Sequence, residues 1–239
     1  MTELIPFPSD DTLAVSVAKR WLEALETVNH AAAAYCIALS GGRIARKFFA
    51  AVTRQAPRGL LPVVHFFWAD ERCVPPTDPD SNFGVARELL LAPLGIEPDK
   101  IHRIRGEIEP AWAAAEAEAE ICRIAPMSES GQPVLDLVLL GMGEDGHVAS
   151  LFPSAPQEMI CRKAVYIPVV AAKPPPRRIT INYPTIAVAG QVWVMASGSG
   201  KEAALRESLA EGGKTPLARV LAMRQQTVIF SDIPLEARG

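Results

Sequence analysis

The amino-acid sequence predicts an α/β fold, a mainly parallel sheet with helices on both faces, in one domain spanning 1–239. Three observations carry that prediction. The runs AYCIAL (34–39), VVHFFWA (63–69) and LDLVLL (135–140) are apolar without in-out alternation, as strands buried on both faces must be. Stretches of helical periodicity separate them, so the crossovers between strands are helices. Each run stops abruptly at a polar or glycine-rich loop: Ser40-Gly41-Gly42-Arg43, Asp70-Glu71-Arg72, and Gly141 to His147. In open α/β sheets ligands bind outside the carboxyl ends of the strands, so neighbouring strands would aim these loops into one crevice.

The remaining elements follow in order. Ser9-Asp10-Asp11 offers N-cap oxygens, and Leu13, Val17, Trp21, Leu22 and Leu25 recur at helical spacing. A second helix carries Ile44, Phe48, Phe49 and Val52 on one side. Beyond the breaker-rich CVPPTDPDSN, Phe83 to Leu91 reads as helix and IHRI (101–104) as a short strand. Pro110 sits where a helix tolerates proline, in the first turn before AWAAAEAEAEICRIA. AVYIPVV, RITINY, QVWVMA and TVIFS supply four more strands, with one helix, KEAALRESLA, after SGSG. KPPPRR (173–178) is too short to link domains.

Composition excludes several classes of function. Hydrophobic residues make up 49 % and charged residues 21 %, the balance of a packed globular chain. The formal net charge of −3 gives no basic excess for nucleic acid. No apolar stretch approaches the roughly 20 residues that span a bilayer, and the first residues lack a signal peptide's basic and apolar regions. Cys36, Cys73, Cys122 and Cys161 form no CxxC pair and read as buried thiols of a reducing compartment, which predicts a cytoplasmic protein.

Two glycine motifs mislead. Gly141-Met142-Gly143-Glu144-Asp145-Gly146 matches GxGxxG, but Pro153 limits any following helix to about two turns, and Tyr166 stands where a dinucleotide fold needs an acid. Gly213-Lys214-Thr215 lacks the earlier glycine of a phosphate-binding P-loop, having Ser208 there. What the first loop does offer is Asp145 two residues before His147, and a histidine oriented by a carboxylate is a general base near neutral pH. Ser40-Gly41-Gly42-Arg43 brings backbone N–H groups, a hydroxyl, a helix N-terminus and a guanidinium together, a combination suited to phosphate. Arg177-Arg178 stands behind three prolines that can fix its direction. His30, His65 and His102 are scattered and read as structural.

Taken in order, ALSGG, DERCVPPTDPDSNFGVARELLL, LDLVLLGMGEDGHVASLFP, KPPPRRIT and SGSGKEAAL resemble the 6-phosphogluconolactonase family, from about residue 8 to residue 231. The resemblance implies a Rossmann-like sheet shared with glucosamine-6-phosphate deaminase and ribose-5-phosphate isomerase. It implies hydrolysis of 6-phospho-D-glucono-1,5-lactone in the oxidative pentose phosphate pathway, with a sugar-phosphate lactone as the small-molecule partner and no cofactor or metal. His147 would act as base, Asp145 would orient it, and Arg72 would offset the oxyanion. Ser40, Gly41, Gly42, Arg43, Asp70, Lys173, Arg177 and Arg178 would bind substrate, the phosphate above all. The chain is expected to be a monomer or weak dimer. One departure stands out: Arg43-Ile44-Ala45 replaces the family's usual Ser-Thr-Pro, removing a hydroxyl and adding a charge. The deaminase branch typically follows its histidine with Phe-Asn-Glu-Pro, and Val148 to Pro153 holds no such glutamate. A non-catalytic sugar-phosphate-binding relative is the other alternative.

Overall fold

The computed structural model describes residues 1–27, 34–57, 61, 63–154 and 163–235. Six strands form the main sheet: β1 (Thr2–Pro6), β2 (Tyr35–Leu39), β3 (Val64–Trp68), β5 (Leu137–Gly141), β8 (Gln191–Ala196) and β9 (Thr227–Ser231). They lie in the order β1-β9-β8-β5-β2-β3, and every neighbouring pair is parallel. β2 and β9 are buried along their whole length, so both faces of the sheet are covered.

The helices are α1 (Asp10–Glu26), α2 (Arg43–Gln55), α3 (Asn82–Ala86), α4 (Pro110–Ile124), α5 (Tyr183–Val188), α6 (Glu202–Leu209) and α7 (Pro216–Ala222). Ser9 caps α1 through a reciprocal bond with Thr12, as the Ser-Asp-Asp start predicts. Trp21 of α1 meets Phe48 of α2 at 5.9 Å and Phe66 of β3 at 6.4 Å between ring centroids, which locks two helices onto one edge of the sheet.

A second sheet of three antiparallel strands stands beside the first. It comprises β4 (Asp70–Arg72), β6 (Tyr166–Val170) and β7 (Arg177–Ile181), in the order β4-β7-β6. The chain passes between sheets at Ala69, whose N–H donates to Leu39 and whose carbonyl accepts from Ile181.

Several elements depart from the sequence-based expectations. Asp70-Glu71-Arg72, read as a loop, is a strand paired with β7, because two of its charged side chains find buried partners. IHRI makes a single bridge, Phe66 to Ile101, before the chain turns at Gly106. The helix expected to run from Phe83 to Leu91 changes to π geometry at Arg87–Leu91. RITINY ends as strand at Ile181, where Asn182 accepts a bond from Tyr183 N–H and Pro184 sits in the first turn of α5. β1, short and mostly exposed, and α7 escape the sequence reading, although Thr215-Pro216 is a cap signal and Leu217, Val220 and Leu221 recur at helical spacing in α7. Cys36 is buried, whereas Cys73 and Cys122 are only half-buried; Cys161 lies outside the described residues.

His65 and His102 are packing residues joined in a directional chain. The Lys100 ammonium can only donate to His65 Nε2, at 3.3 Å. His65 Nδ1–H therefore donates to His102 Nε2 (2.9 Å), and His102 Nδ1–H donates to Glu120 (2.9 Å). Both rings are neutral in this arrangement, and burial accordingly lowers His65 to about 4 and moves His102 down as well. His30 lies outside the described residues.

Candidate active site

Strand order reverses at β2 and β5: from β2 the chain steps outward to β3, while β5, β8 and β9 build the opposite half. A crevice forms at such a switch point because the following loops leave in opposite directions. Here it is a cleft of about 210 Å³, lined by the loops after β2, β5 and β8 and by β4 and β7 of the small sheet.

The β2 loop is a backbone device. Gly42 has φ 99°, a conformation that disfavours side chains, and it directs the N-terminus of α2 at the cleft with no side-chain cap. Ser40 is 6 % exposed and its Oγ has no hydrogen-bond partner among the described residues, so a buried hydroxyl waits beside open N–H groups. The Arg43 guanidinium crosses to Gly198, in the loop after β8, and fills the space a Cβ there would take. Lys201 follows in the same loop; burial first, and the Arg43 charge second, push its ammonium pKa down. Asp232 pins that loop by accepting from Ser197 Oγ (3.0 Å) and Gly198 N–H (3.1 Å).

The β5 loop holds the histidine–carboxylate pair. Gly146, at φ 76°, turns the chain back, and its carbonyl accepts from Leu217 at the start of α7. The turn places Asp145 Oδ1 against His147 N–H (3.1 Å) and His147 Nδ1 (2.5 Å). A carboxylate only accepts, so Nδ1 carries a proton, and in the neutral ring Nε2 keeps a lone pair. Partial burial opposes ionisation of Asp145, but the two bonds from His147 outweigh it and hold the carboxyl below its ordinary range. The imidazole lies over Gly143, where any Cβ would collide with it, and against Phe152, with ring centroids 4.8 Å apart.

The small sheet supplies the third wall. Arg72 and Arg178 are register partners on β4 and β7. Arg72 Nη1 donates to the Asp80 carbonyl (2.8 Å), while its Nε is buried without a partner among the described residues. Arg178 donates to the carbonyls of Pro175 (3.1 Å) and Lys173 (3.5 Å), so the proline segment fixes its direction. It also stacks over Phe152 at 5.7 Å, the ring that His147 touches. Burial, and then neighbouring Arg72, lower the Arg178 pKa, which marks two guanidinium groups held side by side. Asp70 is 4 % exposed and accepts from Ser150 Oγ (2.6 Å) and Asn82 Nδ2 (3.2 Å).

The cleft thus gathers Ser40, Gly41, Gly42, Arg43, Asp70, Arg72, His147 and Arg178 of the sequence-predicted set, with Asp145 bonded to the imidazole from behind. Lys173 and Arg177 do not line it. Successive residues of a strand point to opposite faces, so Arg178 turns inward and Arg177 outward. Lys173 is exposed and pairs with Glu144 at 3.6 Å. Sequence reasoning missed Asn82, Ser197 and Lys201; the Lys201 signal was present in SGSGK, a polar loop directly after strand β8.

Fold and site together define a class: open α/β proteins whose switch-point cleft combines a histidine–carboxylate pair with a cluster of cationic side chains. Residues 8–230 match the family described as "Glucosamine-6-phosphate isomerases/6-phosphogluconolactonase". The chain belongs to this family. It is 32 % identical to the 6-phosphogluconolactonase of Mycobacterium tuberculosis over 219 residues, which cover 89 % of this chain and 87 % of that one. Over a shorter stretch of 118 residues it is 47 % identical to the 6-phosphogluconolactonase of Treponema pallidum, 49 % of this chain and 48 % of that protein. The solved structure of 6-phosphogluconolactonase from Trypanosoma brucei superposes with a TM-score of 0.86 at 28 % identity, covering 96 % of this chain and 95 % of that one. A monomeric glucosamine-6-phosphate deaminase shares the fold, with a TM-score of 0.77 at 15 % identity.

Proposed function

We propose that this chain hydrolyses 6-phospho-D-glucono-1,5-lactone to 6-phosphogluconate, the lactonase step of the oxidative pentose phosphate pathway. The observation that carries the reading is one cleft holding both a carboxylate-oriented imidazole and cationic side chains beside the α2 N-terminus. His147 Nε2 takes a proton from water as its oxygen attacks the lactone carbonyl, and Asp145 stabilises the resulting imidazolium. Arg72 and Arg178, which line the same cleft as the imidazole, offset the charge on the tetrahedral oxygen. His147 then returns the proton to the departing ring oxygen. An ester carbonyl is already electrophilic, so the chemistry calls for no cofactor.

The phosphate sits on the Ser40-Gly41-Gly42 turn and the N-terminus of α2, between Arg43 and Lys201. Arg43 here supplies a charge where the usual family loop supplies a hydroxyl. The enzyme acts in the cytoplasm as a monomer or weak dimer of one α/β domain. Hydrolysis of freshly prepared lactone, corrected for its spontaneous rate and repeated in EDTA, tests the reading. Catalysed hydrolysis that resists the chelator is expected. Ammonia released from glucosamine 6-phosphate, with no lactone turnover, would replace the reading by a deaminase.

A further inference from the structure

Glu71 is 2 % exposed, and no step of the mechanism above uses it. Its carboxylate nevertheless accepts four hydrogen bonds. Oε1 takes the N–H groups of Arg72 and Asn82, both at 2.7 Å. Oε2 takes Phe83 N–H (2.8 Å) and Ser81 Oγ (3.2 Å). One buried carboxylate thereby ties β4 to the start of α3, joining the backbone of Arg72 to the residue whose side chain lies against Gly41.

We propose that Glu71 is a positioning residue: its carboxylate fixes the backbone from which Arg72 and Asn82 project, and so aims the Arg72 guanidinium into the cleft. The proposal rests on the lactonase reading, in which Arg72 serves the oxyanion. An acceptor saturated by four donors has no place for a proton, so protonating Glu71 strips a partner from at least one of them. Burial raises its pKa to about 7, against the pull of the three backbone bonds and with repulsion from Asp70. The other ionisable groups coupled to it are the Cys73 thiol and the Arg103 guanidinium. The loosening therefore falls near neutral pH.

Four proteins test this: wild type, Glu71→Gln, Arg72→Ala and the double variant, each assayed for kcat and KM on 6-phosphogluconolactone and for amide hydrogen exchange. Glu71→Gln is expected to lower kcat about 10- to 100-fold, the range for a slightly misplaced group. Most of that loss should disappear in the Arg72→Ala background, leaving only the part carried through Asn82, and its acid limb should lack the component near pH 7 expected of wild type. Exchange at Arg72, Asn82 and Phe83 should rise, a readout that holds even if the lactone is not the substrate. Unchanged exchange, an equal kcat loss in both backgrounds, or an identical acid limb would each overturn the proposal. Should Glu71→Gln fail to fold, Ser81→Ala removes one donor of the four and is expected to give a smaller kcat loss, again reduced without Arg72. Absence of wild-type turnover would overturn the lactonase reading itself, leaving the exchange experiment to decide on Glu71.

Discussion

Asn82 stands where a side chain on Gly41 would have to go: a Cβ built there runs into the Asn82 carboxamide. That carboxamide cannot swing aside cheaply, because Nδ2 donates to the Asp70 carbonyl at 2.8 Å and to its carboxylate at 3.2 Å. The small sheet and the β2 loop are therefore interlocked at the floor of the cleft. Gly41→Ala is expected to lower kcat/KM on the phosphorylated lactone at least about tenfold, through a displaced phosphate turn. Steady-state kinetics of Gly41→Ala, Asn82→Ala and the pair check it: the penalty of the added methyl group should shrink once the carboxamide is gone.

The acid–base pair gives the second expectation. His147→Ala should leave the melting temperature near wild type and lower the catalysed rate by about 10²–10⁴. Asp145→Asn should cost less, since an amide oxygen still accepts from Nδ1 but lacks the charge that stabilises imidazolium. Both are read as kcat after subtracting spontaneous hydrolysis. A His147→Ala enzyme with wild-type turnover would remove the imidazole from the mechanism.

How much of this was legible in the sequence follows from where each signal is stored. The parallel core was readable because β2, β3 and β5 are apolar on both faces and end in breakers. The Asp145–His147 contact was readable because it is local, two residues apart on a glycine turn. Asn82 was not, since it joins the site only through contacts with a distant loop, whereas Lys201 stood in the polar SGSGK after β8 but its approach to Arg43 came only with strand order. β4 was hidden for another reason: Asp-Glu-Arg has no strand composition, and only the buried hydrogen bonds to Asp70 and Glu71 make it tolerable between two sheets. Arg177 and Arg178 were indistinguishable until the register of β7 put one on each face.

The histidine chain sets a pH dependence of stability. His65 is lowered from 6.5 to about 4 by burial and by Lys100 and His102 nearby, so the folded ring stays neutral while the unfolded one takes a proton. As pH falls from 6.5 toward 4 the unfolded state binds more protons, and stability is lost across that window. Glu71 acts with the opposite sign: raised to about 7, it takes its proton in the folded state first. Comparing melting curves of wild type and His65→Gln from pH 8 to pH 4 isolates the ring. The variant should melt lower at pH 8 and lose less on acidification, and parallel curves would contradict the neutral chain.

The last expectation separates the two cationic groups of the cleft. Arg43 and Lys201 flank the α2 N-terminus, whereas Arg72 and Arg178 stand on the wall that meets His147 through Phe152. A charge-assisted contact is worth roughly 1.5–3 kcal/mol, about 10- to 150-fold in affinity. Two such contacts to phosphate should make 6-phosphogluconolactone at least about 10² better in kcat/KM than gluconolactone without the phosphate. Arg43→Ala and Lys201→Ala should each shrink that ratio and leave the rate on the unphosphorylated lactone nearly unchanged, because they act on a group that substrate lacks. Arg72→Ala and Arg178→Ala should lower both rates together, because they act on the carbonyl that both substrates share. Measuring kcat/KM on both lactones for the four variants decides the assignment. If Arg178→Ala affects only the phosphorylated substrate, that guanidinium moves to the phosphate, and equal wild-type rates on the two lactones would remove the phosphate cradle altogether.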